Sequence, residues 1–112
     1  MAATIPPVDL AQGKNAPVTP ELPISAFRAQ QLVNVLATME ISSQMLSQPP
    51  KLVLGERPCW SVPVWFTLPN LGLVGQAGTV LVDAHTGEVL ADSETLREIA
   101  ENAKRLAERA AL

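Results

Sequence analysis

Apolar and polar positions change their period twice along this chain, and each change marks a new kind of element. From Ser25 to about Ser47 the large apolar residues Leu32, Val35, Leu36, Met39 and Leu46 recur at helical spacing. This predicts a helix with Ser25 as its cap. Ser42 and Ser43 interrupt the stripe, so the last turn is expected to be separate or frayed, and Pro49-Pro50 stops it. Beyond the prolines the period becomes two. Lys51 to Leu54 predicts a short strand, Gly55 to Pro58 a turn, and Cys59 to Leu68 a second strand. In that strand Trp60, Val62, Val64, Phe66 and Leu68 share one face, and Cys59, Ser61, Pro63, Trp65 and Thr67 share the other. Pro63 cannot donate to a ladder and is expected at an edge or a bulge.

A loop is predicted over Pro69 to Gly75, a third strand over Gln76 to Asp83, and a fourth over Glu88 to Ala91. The turn between these last two is Ala84 to Gly87, with Gly87 supplying a positive φ. Helical spacing then returns. Asp92 or Ser93 caps a helix over about 92–110, whose apolar stripe contains Leu96, Ile99, Ala100, Ala103, Leu106, Ala107 and Ala110. Its other face pairs Glu101 with Arg105 and Lys104 with Glu108 at i,i+4. Burying the large aliphatics of that stripe contributes about 5–8 kcal/mol before entropy, so the helix is expected on its own sheet or on a partner.

In the third strand Val80 and Val82 face away from Leu81, and Trp65 adds a ring to the face that Trp60 does not use. A sheet wetted on one side would carry polar residues at these positions. The first helix is therefore expected over one face, with the C-terminal helix or a second subunit over the other. The fold class is α+β, a small antiparallel sheet of three or four strands packed on an N-terminal helix, with an added amphipathic C-terminal helix. Residues 1–23 hold Pro6, Pro7, Pro17, Pro20 and Pro23 and are expected to form an extended leader, leaving 24–112 as the one domain.

The 112 residues are 47% hydrophobic and 17% charged, a balance that supports a buried core with an apolar surface to spare. The net charge of −3 is distributed evenly, with no basic patch for phosphates and no Lys/Arg-rich helical face, which argues against nucleic-acid and membrane-surface binding. No stretch approaches the length of a membrane span. Cys59 is the single cysteine, and the first residues lack the basic start and apolar run of a signal peptide. A cytoplasmic location is the expectation.

Candidate chemistry is sparse. His85, between Asp83 and Glu88, matches no zinc spacing, and turn polarity accounts for all three, with Asp83 accepting amides of its own turn. Cys59 is expected to act as a small hydrophobe rather than a nucleophile. Gly72, Gly75 and Gly78 lack the helix N-terminus of a phosphate site and read as hairpin-loop glycines. No catalytic, metal-binding or cofactor-binding residues are assigned, and no cofactor is expected.

The segments Trp60-Ser61-Val62-Pro63-Val64 and Val82-Asp83-Ala84-His85-Thr86-Gly87-Glu88-Val89, with the helix before them, resemble the PepSY and PepSY-like domain family over about residues 25–91. The resemblance implies a small antiparallel sheet against a helix, without catalytic residues, and binding as the activity. Unlike the family's envelope members, this chain shows no signal or anchor, and it adds the proline-rich leader and the charged C-terminal helix.

Two functions follow as expectations. One is a non-enzymatic protein-interaction module, a homodimer that holds or modulates a protein partner such as a neighbouring-gene product. Its candidate interface is Trp65, Val80, Val82, Leu96, Ile99, Ala103 and Leu106. The other is a small-molecule or peptide sensor using the hairpin loop Asn70 to Gly78.

Overall fold

A computed structural model describes residues 22–111, so the leader lies almost wholly outside the described residues. Seven elements follow in chain order: α1 (Ala26–Glu40), β1 (Met45–Ser47), β2 (Lys51–Leu54), β3 (Pro58–Leu68), β4 (Gly72–Asp83), β5 (Val89–Leu90) and α2 (Ser93–Ala110). The class is α+β, as expected, with a five-stranded antiparallel sheet. The sheet is built around the β3–β4 hairpin. β5 lies outside β4, while β1 and β2 share the other edge of β3, one after the other.

The first helix is shorter than its periodicity suggests. Ser25 caps it by accepting the Arg28 amide at 3.0 Å, but it ends at Glu40, and Met45–Ser47 form a strand. Side chains of α1 account for this. Asn34 Oδ1 accepts the Ser47 amide at 3.0 Å, and Gln30 Nε2 donates to the Ser47 carbonyl at 3.1 Å. The Ser47 hydroxyl, itself buried, donates to the Gln30 carbonyl at 2.9 Å. The outward backbone groups of Ser47 are thus satisfied by the helix, and the strand needs no further neighbour there.

The buried side of α1 is not the expected stripe either. Ala29, Val33 and Ala37 are buried, whereas Val35 and Met39 are exposed. Small residues allow the helix to lie close on Met45, Val62, Val64 and Phe66; Leu32 of the expected stripe packs beside them partly buried, while Val35 and Met39 are displaced to the outer side.

Pro63 sits within the long strand β3, at a point where its outer edge is broken. Its carbonyl accepts the Gln48 amide at 2.8 Å, so the missing N–H faces the same gap, where Pro49 and Pro50 separate β1 from β2. The predicted loop over Pro69 to Gly75 is a three-residue turn, and β4 already begins at Gly72.

The two helices lie on the same face of the sheet. Residues paired across antiparallel strands share a face, so Trp60, Val62 and Val64 stand with Val82, Val80 and Gly78. Ala29 and Val33 of α1 join this core, and so do Ile99 and Ala103 of α2. Gly75 and Gly78 make room for α2. A Cβ on Gly78 would lie 2.6 Å from Ile99 Cγ1, and one on Gly75 would lie 2.7 Å from Leu106 Cδ2. These two glycines therefore serve helix packing, not a hairpin loop. Asn102 adds a 2.8 Å hydrogen bond to the Ala77 carbonyl. Of the two covers expected for the face bearing Trp65, the C-terminal helix or a second subunit, the first is corrected: α2 shares the core face with α1.

Candidate interaction surface

The opposite face of the sheet is left without a cover by any described element. It carries Leu46 of β1, Val53 of β2, Pro63 and Trp65 of β3, Leu73 and Leu81 of β4, and Leu90 of β5. The five aliphatic side chains among these are between 38% and 49% exposed. Trp65 is partly exposed at the middle of the sheet, directly opposite Leu46 on one side and Gln76 on the other. Charge is confined to the margin, to Lys51 of β2 and to the Arg57–Asp83 pair at one end of the hairpin. An apolar array of this extent on one face is the feature that a docking surface requires.

The residues expected at an interface are divided by the structure. Trp65 lies on the open face. Val80, Val82, Ile99 and Ala103 are buried in the chain's own core, Leu106 packs against it partly buried, and Leu96 near the start of α2 is half-buried. These side chains are occupied by the α2–sheet contact and do not form a surface. Leu46, Val53, Leu73, Leu81 and Leu90 take their place. The alternation in β3 and β4 already set Trp65 and Leu81 apart from the Val62 and Val80 face. Leu46 was hidden because its segment reads as helix.

The turn after β4 is a polar device of another kind. Asp83, buried among the side chains of the hairpin, accepts the His85 amide at 2.8 Å and the Thr86 amide at 3.0 Å through one carboxylate oxygen, while Arg57 bonds the other. The Thr86 and His85 amides, with smaller help from Arg57, hold its carboxyl below the usual 3.8 against the opposing effect of burial. Gly87 follows with φ +81°. His85 is exposed, and Cys59 stands partly buried opposite Asp83 and Val53. Among the described residues no three His, Cys, Asp or Glu side chains are grouped to hold a metal ion. No described helix is long and apolar enough to cross a membrane.

A second exposed apolar feature is the outer ridge of α1, formed by Phe27, Val35 and Met39 at four- and eight-residue intervals. It borders an open groove of about 370 Å³ whose far wall is Leu46 and Ser47. Gln30 and Asn34, which also line this groove, are already engaged with Ser47. The segment proposed for ligand sensing, Asn70 to Gly78, is mostly the paired strand β4, and the groove beside it is an open one lined by Leu68, Pro69, Gly72 and Leu73.

Compared with protein-family models, curated proteins and solved structures, the chain finds no match.

Proposed function

We propose that this chain is a non-enzymatic protein-interaction module, and that the open sheet face centred on Trp65 is its contact surface. The observation that carries this is the one-sided burial: both helices occupy one face, and the other presents a row of large apolar side chains with charge only at its margin. The cost of leaving such a surface in water is removed when a protein covers it. The order of elements, a helix followed by antiparallel strands and the Val82–Val89 turn, is also what the resemblance to PepSY-like domains implies, and binding is that family's implied activity. A cytoplasmic setting and a homodimeric state belong to the same proposal.

The test is retention of a stoichiometric protein, self or other, by the tagged chain in lysate of its native host. Trp65→Ser is expected to abolish that retention while the far-ultraviolet circular dichroism stays unchanged. Equal retention by both forms removes the sheet face from the function. Loss of folding in the variant would assign the ring to the core.

A further inference from the structure

The contact surface proposed above has a size, a composition and a set of blocked edges that together specify what covers it. We propose that the open sheet face is closed by a second copy of this chain, the two sheets stacking face to face about a two-fold axis with Trp65 of each copy at the centre of a shared core. This rests on the interaction-module reading with its homodimeric state, and goes further by giving the face through which, and the way in which, two copies associate.

The size is sufficient. Two long strands of 11 and 12 residues form the middle of the face, with three short ones beside them. At about 3.3 Å per residue and 4.8 Å between strands, the face covers roughly 500–700 Å². Two copies would therefore bury on the order of 1,000–1,400 Å², which reaches the range of stable specific interfaces. The ridge on α1 offers only Phe27, Val35 and Met39, a smaller area.

The composition suits a surface that must match itself. A two-fold contact brings each residue against its counterpart or its symmetry mate, so any central charge would meet a like charge. Here the centre is Pro63, Trp65 and Leu81 with the uncharged Ser61, Gln76 and Thr79 paired beside them, and Lys51 and the Arg57–Asp83 pair lie at the margin. Sheets with such inner faces pack about 10 Å apart with interleaved side chains.

The alternative of pairing edge to edge is obstructed. Ser47 of β1 has its outward amide and carbonyl bonded to Asn34 and Gln30. The outer edge of β4 is irregular, because Val74 and Ala77 have no partner in the β3 register, and Asn102 holds the Ala77 carbonyl. β5 contributes two residues and β2 four. Such edges resist strand addition, so association is directed to the face.

The experiment is sedimentation equilibrium of the full chain together with Trp65→Asp, Leu81→Asp and, on the α1 ridge, Gln31→Asp. Twice the 11.9 kDa chain mass is expected for the unsubstituted chain and for Gln31→Asp. Each sheet-face variant should weaken self-association at least ~100-fold. To keep the test independent of folding in those variants, Ser61→Cys and Gln31→Cys are each made with Cys59→Ser and treated with a short bismaleimide. Cross-linking at Ser61→Cys alone supports stacking. Cross-linking at Gln31→Cys alone, or a dimer unaffected by Trp65→Asp, overturns it. A monomer up to millimolar concentration also overturns the second copy as occupant. In that event retention of a different protein that depends on Trp65 leaves the interaction-module reading standing, and its absence removes both.

Discussion

Asp83 shows how much one side chain contributes when its surroundings are complete. Its carboxylate closes the turn through the amides of His85 and Thr86, and Arg57, just before β3 at the same end of the hairpin, bonds its other oxygen. Because the folded carboxyl is held below the ordinary 3.8, its stabilising contribution is fully present above that value. It is lost as the pH falls through the lowered folded value. Asp83→Asn should therefore be less stable than the parent by a constant margin near neutral pH, with the gap closing below about pH 4, as measured by urea titration across the acid range. The role of Asp83 was legible in the sequence, since an Asp before a Thr-Gly turn is placed to accept local amides. The role of Gly78 was not. Its requirement for space comes from Ile99, a residue far along the chain, so only the packed structure reveals it. Gly78→Val should lose about 1–3 kcal/mol by overpacking against α2, seen as a lower urea midpoint with an unchanged slope.

At the scale of elements, the two helices illustrate opposite uses of the same period. α2 has the expected form: Asp92 caps it by accepting the Thr95 amide at 2.8 Å, and Ile99 and Ala103 of its stripe enter the core. α1 departs from its pattern because Ala29, Val33 and Ala37 permit a closer approach than Val35 or Met39 would. Its polar residues decide the fate of the next segment. Without Asn34 and Gln30, the backbone of Ser47 would present buried unpaired groups at the edge of the sheet. Asn34→Leu should destabilise the fold by about 1–3 kcal/mol, and amide exchange at Ser47 should accelerate more than exchange at Val64. β1 could not be recognised in advance, since three residues in strand conformation carry no period of their own, and the hydrogen bonds that fix them come from 13 and 17 positions earlier.

For the whole molecule, the one-sided arrangement is decisive. An association through the Trp65 face would be driven by apolar burial, so raising the salt from about 0.05 M to about 1 M should leave the dimer intact, whereas charge pairing would be screened. Sedimentation at the two salt concentrations measures this directly. The sequence by itself determined the α+β class, the β3–β4 hairpin, the turn at Asp83–Gly87 and the amphipathic α2, because each follows from local period, capping or turn chemistry. It also showed that both faces of the sheet carry apolar side chains. Only the tertiary structure decided that α1 and α2 share one face, and hence that Val80, Val82, Ile99 and Ala103 are core while Trp65, Leu46 and Leu81 line a surface. The physical reason is that an apolar stripe specifies burial without specifying against what. The close approach at Gly75 and Gly78 selects the side of the sheet, and that contact exists only once the chain is folded.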